Sequence, residues 1–191
     1  MDTLVGNVVR LEPLASHHSE ELFALLGNDD EAWRWMIVPT PRSMGDMSAI
    51  VDRYLNDLTL GTRQPYAVVH IESQKPIGMT SFMDISRHDR TLEIGSTIYG
   101  REFWRTAVNT ESKLLLLTQA FEVQDFLRVT LKTDADNKRS QAAITRIGAQ
   151  YEGTLRSHRV RADGTSRDTV YYSILSAEWP QVRAILQGAL A

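Results

Sequence analysis

Hydrophobic residues change their spacing several times along the chain, and each change predicts a new element. Residues 8–14 alternate polar and apolar positions as a strand does, and residues 16–26 carry leucines at helical spacing. Apolar residues then recur at helical spacing over 47–58 up to Gly61, a residue type that commonly ends a helix. The chain is therefore predicted to open with a strand followed by two helices.

The middle of the chain predicts a β-meander followed by a helical crossover. Residues 65–71 and 77–85 are rich in strand-forming residues, and residues 91–99 add a third strand, with a polar turn before each new strand. Residues 108–121 then carry an apolar stripe at helical spacing, and residues 127–133 return to strand alternation. A strand, a helix and a strand in this order favour a parallel crossover.

The end of the chain predicts a short helix, a hairpin and a terminal helix. Asp136 and Asn137 open the short helix, which stops at Gly148. Two strands flank the Asp163–Gly164 turn, a strong hairpin signal, and the terminal helix begins near Ser176. We therefore expect an α+β fold with a mixed, mostly antiparallel central sheet of about seven strands flanked by helices.

Composition and charge narrow the class of protein. A chain of 191 residues with 42% hydrophobic and 24% charged residues is expected to fold as one domain over residues 1–191. The net charge of -3 creates no overall field that attracts nucleic acid, which is not expected as a partner. The absence of cysteine excludes disulfides and a thiol nucleophile. Because no signal-like or membrane-spanning apolar run is present, we expect a cytoplasmic protein without a membrane partner.

The strand-to-helix junction at residues 99–111 is the first candidate binding site. The helix is expected to begin at Asn109 or Thr110, and a helix N-terminus offers unpaired N–H groups and a positive dipole end that suit a pyrophosphate. Arg101 and Arg105 would add charge-assisted contacts to phosphate oxygens. From these residues alone, an ordinary turn with solvated arginines remains an open alternative.

Three polar residues elsewhere are candidates for a role in chemistry. Asn137 and Ser140 lie three residues apart on one helix face, so both would face one ligand, unless Asn137 only caps the helix and Ser140 is an ordinary first-turn residue. Glu93 would act as a base or else stand as a solvated strand residue. Strict alternation places it on one strand face with Gly95, Thr97 and Tyr99, opposite Leu92, Ile94 and Ile98.

Four short segments, taken together, resemble the RimJ/RimL-type acetyltransferases of the GNAT superfamily. They are Glu93–Gly95, Trp104–Glu111, Asn137–Ser140 and Ile147–Ala149, and the order of elements matches over the whole chain. The resemblance implies a GNAT-like fold and an enzyme that moves an acetyl or related acyl group from a CoA thioester to a primary amine. Acetyl-CoA or another acyl-CoA is the implied co-substrate, and the implied acceptor is a protein N-terminus or a small molecule.

The resemblance also implies a role for particular residues. Glu93 and Ser140 are the expected catalytic residues: Glu93 removes a proton from the amine through water, and Ser140 stabilises the leaving thiolate. Trp33, Trp35 and Glu93 are expected at the acceptor pocket. The expected CoA-binding residues are Ile98, Tyr99, Arg101, Arg105, Thr106, Ala107, Val108, Asn109, Thr110, Asn137 and Ser140. A backbone N–H near Ile98 or Tyr99 would polarise the thioester carbonyl.

The loop departs from the family pattern at two positions. Glycine is usual where this chain has Ala107 and Asn109, and glycine allows a close approach of the backbone to a ligand. The departure keeps a second hypothesis open, a non-catalytic acyl-CoA-binding regulatory module of the same fold.

A basic hairpin arm supports a third hypothesis, an RNA-associated or ribosome-associated binding protein. The arm consists of Arg156, His158, Arg159 and Arg161. A solvated edge strand protected by charge is the alternative explanation. The five histidines show no metal-ligand spacing, so no metal is expected, and a homodimer is left open as the assembly.

Overall fold

The computed structural model describes residues 1–191, and its central feature is one sheet of eight strands. The strands are β1 (Leu4–Val5), β2 (Val9–Pro13), β3 (Arg63–His70), β4 (Pro76–Ser86), β5 (Thr91–Tyr99), β6 (Arg128–Asp134), β7 (Gln150–Val160) and β8 (Ser166–Leu175). The helices are α1 (Ser19–Leu26), α2 (Asp30–Trp33), α3 (Met44–Thr59), α4 (Ala107–Thr118), α5 (Lys138–Arg146) and α6 (Trp179–Gly188). None of these helices is long and apolar enough to cross a membrane.

The strand order is β1-β2-β3-β4-β5-β6-β8-β7, and only β5 and β6 run parallel. Every other neighbouring pair is antiparallel, which confirms the predicted meander, the crossover through α4 and the final hairpin. The mixed α+β fold is confirmed as well. The strand count is eight instead of about seven because the two-residue β1 adds an edge to the sheet.

Apolar residues form a packed layer on each face of the sheet. One layer packs the sheet against α4 and α6 and includes Phe82, Leu92, Ile94, Leu116 and Leu186. The other packs it against α1 and α3 and includes Leu22, Met47, Val51, Val69 and Met79. Burying both faces of the central strands explains why their sequences are apolar on both sides.

Side-chain caps determine where two of the helices begin. The Ser43 hydroxyl accepts a hydrogen bond from the Asp46 amide at 3.1 Å, and the Asp46 carboxylate accepts one from the Ser43 amide at 2.9 Å, so α3 begins with a capping box. The Thr106 hydroxyl accepts from the Val108 amide at 3.3 Å. The helix that was expected to begin at Asn109 or Thr110 therefore begins earlier, at Ala107.

A β-bulge interrupts the second half of β5. Ser81 pairs with Gly95 and Met79 pairs with Ile98, so β5 contains one more residue than β4 between these two pairs. Ser96 has a φ of 49°, a left-handed conformation that is uncommon for serine. A bulge of this kind turns every later side chain to the opposite face of the sheet.

The bulge corrects the predicted faces of β5. Ile98 packs in the layer of α1 and α3, whereas Tyr99 packs in the layer of α4 and α6 with Leu92 and Ile94. The prediction that Thr97 and Tyr99 share the face of Glu93 is therefore wrong, because strict alternation does not allow for the extra residue. Only the part of β5 before the bulge keeps the predicted faces.

The parallel pairing of β5 and β6 is short. It joins Thr91–Glu93 to Arg128–Thr130 and then ends, although β5 continues to Tyr99 and β6 continues to Asp134. Beyond the paired residues the two strands separate. The sheet therefore contains a gap between two of its central strands.

One carboxylate joins the N-terminal hairpin to the crossover helix. Glu111 of α4 is 4% exposed and accepts hydrogen bonds from the amides of Asn7, Val8 and Val9 at 2.8, 2.7 and 2.7 Å. A Cβ added at Gly6 would lie 2.5 Å from Glu111 Oε2, so a side chain there would displace the Glu111 carboxylate. Glu111 thus holds α4 against the start of β2.

We predict that Glu111→Gln lowers the free energy of unfolding by about 2–3 kcal/mol, because one acceptor oxygen becomes a donor and the negative charge is lost. Urea unfolding followed by circular dichroism measures the change. Glu72→Gln, in the exposed turn before β4, is the control and should change the free energy by less than about 0.5 kcal/mol. Equal midpoints for wild type and Glu111→Gln would contradict the prediction.

Candidate active site

The gap between β5 and β6 opens into a cavity of about 740 Å³. Its walls come from the two separated strands, the starts of α4 and α5, residues 35–37 after α2, and the β7–β8 hairpin. A cavity of this volume is large enough for a cofactor-sized ligand. No group of three or more His, Asp or Glu side chains could hold a metal ion.

The structure brings most of the predicted site residues together around this cavity. Those that line it are Trp35, Glu93, Ile98, Tyr99, Arg105, Thr106, Asn109, Asn137 and Ser140. They come from four different segments of the chain, which only the fold places side by side. These nine of the predicted binding and catalytic residues thus share one cavity.

Trp33 and Arg101 do not lie at the cavity. Trp33 is 2% exposed, packs in the core with α1 and α3, and donates a hydrogen bond from Nε1 to the Leu26 carbonyl at 2.9 Å. It is a core residue, so its predicted place in the acceptor pocket is wrong. Arg101 is exposed and pairs with Asp29 at 2.9 Å. The guanidinium of Arg101 is thus bound by a carboxylate outside the cavity lining.

The loop before α4 presents a row of free backbone N–H groups. No group of the chain accepts a hydrogen bond from the amides of residues 105–107 or 109. The side chains of Val108 and Thr110 are buried. The Val108 amide donates to the Thr106 hydroxyl, so neither the side chain nor the amide of Val108 is available to a ligand. Free amides at a helix N-terminus are a ready site for phosphate oxygens.

The loop does not need glycine at the two positions where the family usually has it. Ala107 and Asn109 both lie in the first turn of α4 with helical backbone. The left-handed conformation falls instead on Arg105, whose φ is 62°. The amides of the loop are therefore free without glycine at these two positions, and the strained residue of the loop is Arg105.

The N-terminus of α5 closes one end of the cavity. Asn137 Oδ1 accepts a hydrogen bond from the Ser140 amide at 3.0 Å, so Asn137 is the helix cap as well as a lining residue. The Arg139 guanidinium lies 3.4 Å from the centre of the Trp104 ring, and Trp104 Nε1 donates to the Tyr99 carbonyl at 3.0 Å. These contacts hold α5 against the loop before α4.

Glu93 belongs to a buried cluster of charges. Its carboxylate lies 2.6 Å from Lys132 Nζ, which also contacts Asp84 at 3.0 Å. A Cβ at Gly95 would lie 2.7 Å from Glu93 Oε1, so the glycine makes room for the carboxylate. Burial raises the pKa of Glu93, and the hydrogen bond and charge of Lys132 oppose the rise. Glu93 is therefore a stronger base than an exposed glutamate.

Both the sequence and the fold of the chain are similar to known acetyltransferases. A family model described as "Acetyltransferase (GNAT) domain" matches residues 9–150. The chain is 27% identical over 175 residues to a Bacillus subtilis (strain 168) protein named "Putative ribosomal N-acetyltransferase YdaF", covering 88% of this chain and 90% of that one.

Solved structures share the fold over nearly the whole chain. The crystal structure of a GCN5-related N-acetyltransferase from Brucella melitensis has a TM-score of 0.93 and 30% identity, covering 100% of this chain and 86% of that one. The Microcin C7 self immunity acetyltransferase MccE, solved in complex with acetyl-CoA and AMP, has a TM-score of 0.79 and 23% identity, covering 89% and 93%. At that identity, the second comparison concerns the fold alone.

Lys113 is a cavity residue that the sequence analysis missed. Lys113 lies four residues after Asn109 on α4. This spacing, which places both side chains on one helix face, is the only feature of the sequence that could have predicted Lys113 at the cavity. Lys113 is 6% exposed, and its Nζ donates to Thr97 Oγ1 at 3.1 Å. Burial lowers the pKa of Lys113 to about 8, while the charge of Glu93 acts in the opposite direction. A buried ammonium with a neutral partner is costly to the folded state.

We predict a pH-dependent stability difference between wild type and Lys113→Met. Because burial lowers the pKa of Lys113 in the folded protein to about 8 from 10.5, the unfolded chain binds more protons between these values. Wild type should therefore gain on the order of 2 kcal/mol relative to the variant as pH rises from 8 to 10.5. Urea unfolding at several pH values measures the difference, with Lys75→Met in the exposed turn before β4 as control. A difference that does not change with pH would contradict the prediction.

Proposed function

The chain belongs to the GNAT acetyltransferase family and catalyses acetyl transfer, and we propose that its donor is acetyl-CoA and its acceptor a primary amine. The observation that carries the proposal is the gap between β5 and β6, with free amides at one end and Glu93 beside it. MccE, which has the same fold, was solved with acetyl-CoA, and this supports the donor. The acceptor is a small molecule or a protein N-terminus.

The donor suits the charge and the free backbone groups of the cavity. Eight lysine and arginine residues line the cavity, and Glu93 is its only carboxylate. Acetyl-CoA carries several phosphate charges, which such a lining attracts. Its pyrophosphate would lie on the amides of residues 105–107 and 109, with Arg105 adding a charge-assisted contact. The pantetheine chain would run along the unpaired edge of β5.

The residues beside the gap supply what acyl transfer requires. The amine must lose a proton, and Glu93 accepts it through water. As the nitrogen–carbon bond forms and the carbon–sulfur bond breaks, a backbone N–H near Ile98 or Tyr99 stabilises the carbonyl oxygen. The Ser140 hydroxyl donates a hydrogen bond to the leaving sulfur and relays to it a proton from solvent water. The products are an N-acetylated amine and free CoA.

Release of free thiol tests the proposed function directly. The purified protein is incubated with acetyl-CoA and a panel of primary amines, and thiol release is measured with each amine and without amine. Amine-dependent release is the expected result. Acetyl-CoA binding without release would identify a non-catalytic acyl-CoA-binding module, and the absence of both would refute the proposed function.

We predict that Glu93→Gln lowers kcat/KM by about 100-fold near pH 6.5 and by a smaller factor as pH rises. A base assists most where the amine is mainly protonated, and an amine above its own pKa needs no proton removed. The pH profile of thiol release measures the effect, with Glu72→Gln as the control. If the loss had the same factor at every pH where the variant stays folded, Glu93 would position the amine and would not act as its base.

A further inference from the structure

Two arginines face each other across the β7–β8 hairpin. Arg159 of β7 pairs directly with Arg167 of β8, and directly opposite residues in an antiparallel pair project from the same face. Both line the cavity. Like charges in directly opposite positions destabilise a hairpin, so this pair requires an explanation other than stability.

The neighbours of Arg167 do not neutralise it. Its side chain is 12% exposed, and its closest carboxylate oxygen, Asp134 Oδ2, lies 3.9 Å from Nε. Asp134 is already bound by Arg161 at 2.7 Å. Burial lowers the pKa of Arg167, and the charges of Asp134 and Glu93 only partly oppose this effect. Arg167 is therefore a desolvated cation without a close counter-charge.

The hairpin also presents buried polar atoms that have no partner in the chain. Four buried side-chain atoms of the protein lack a hydrogen bond, and all four belong to residues that line this cavity: Tyr99 Oη, His158 Nδ1, Arg167 Nε and Thr169 Oγ1. Three of the four lie on β7 or β8. Because buried polar atoms are normally paired, their concentration here indicates a surface that binds a polar ligand.

The arginine pair lies on the side of the sheet where Glu93 lies. Tyr171 pairs directly with Lys132, which binds the Glu93 carboxylate, and Arg167 lies four residues before Tyr171 on the same strand face. Lys132 contacts both Glu93 and Asp84, so these two carboxylates already have a cation as partner. Near Glu93, Arg159 then has no carboxylate partner, and Arg167 has only the distant Asp134 at 3.9 Å.

We propose that Arg159 and Arg167 bind an oxyanion carried by the acceptor, a carboxylate or a phosphate, and so select amines that bear such a group. The inference rests on the proposed function, since it concerns the acceptor of the same reaction. Two guanidinium groups on one face match the paired oxygens of these anions. A polyamine or a basic protein N-terminus would instead bring further positive charge against the pair.

Matched amines and matched variants test this selection. We expect 4-aminobutyrate to be a better acceptor than 4-aminobutanamide, and O-phosphoethanolamine a better acceptor than ethanolamine, by about tenfold or more in kcat/KM. The pair with the larger difference in kcat/KM shows whether the arginines bind a carboxylate or a phosphate. Arg159→Gln and Arg167→Gln should each lower kcat/KM for the anionic amine of that pair at least tenfold and change the neutral amine less than about twofold. Arg156→Gln, an exposed arginine of the same strand, is the control and should change neither.

A binding measurement separates this inference from the proposed function. Calorimetric titration of the CoA-saturated protein with O-phosphoethanolamine and with 4-aminobutyrate should detect binding of at least one, and Arg167→Gln should abolish it. CoA affinity should be the same in wild type and in both variants. The variant Arg159→Gln changes an exposed side chain and is not expected to affect folding, so it serves if Arg167→Gln proves unstable.

Each outcome bears on one of the two proposals. Equal use of the anionic and the neutral amine of both pairs, or an equal loss for both in the variants, would overturn the inference and leave the acetyltransferase intact. Weaker CoA binding by the variants would assign the arginines to the donor and also overturn it. Anion binding that depends on Arg167, without any amine-dependent thiol release, would support the anion site and count against the proposed function.

Discussion

The early end of the pairing between β5 and β6 is the constraint on which the rest of the site depends. Each strand keeps one complete neighbour: β5 pairs with β4 along its length, and β6 pairs with β8 from Arg128 to Asp134. The sheet can therefore open between them without losing either strand. The opening leaves backbone groups of β5 without a strand partner, and such groups are stable only if water or a ligand binds them. A binding site in the middle of the sheet follows from this geometry.

The charges of the site are arranged locally and are not visible in the charge of the whole chain. The chain carries a net charge of -3, yet the cavity lining has a large excess of lysine and arginine. Within that lining, Lys132 is bound by two carboxylates, whereas Lys113 is buried beside the neutral hydroxyl of Thr97. The same cavity thus combines a paired cation beside Glu93 with less compensated cations on α4 and on the hairpin. A polyanionic ligand would stabilise such an arrangement better than water alone would.

Much of the fold could be predicted from the sequence, because periodicity reports burial along a single element. The meander, the parallel crossover and the hairpin were all predicted correctly in this way. The face of Tyr99 was not, since one extra residue at the bulge reverses the alternation and leaves no periodic signal. Trp33 was misplaced because a tryptophan in a short segment looks the same whether it faces a core or a pocket. The opposition of Arg159 and Arg167 depends on the register between two strands, which the composition of either strand does not contain.

Residues with a left-handed backbone conformation inside the strands help to direct side chains toward the cavity. Asp84, Ser96 and Ser157 have φ values of 48°, 49° and 48°, although each lies within a strand. At each of these residues the pairing with the neighbouring strand is irregular. The Asp84 carboxylate contacts Lys132. Ser157 lies two residues before Arg159, where regular pairing with β8 resumes. Bulges redirect side chains at a cost in backbone strain, and such strain persists where the surrounding structure holds it. All three irregular strands border the same cavity, as does Arg105. The backbone is therefore least regular where the side chains must converge, and this is why the site is harder to predict than the sheet that carries it.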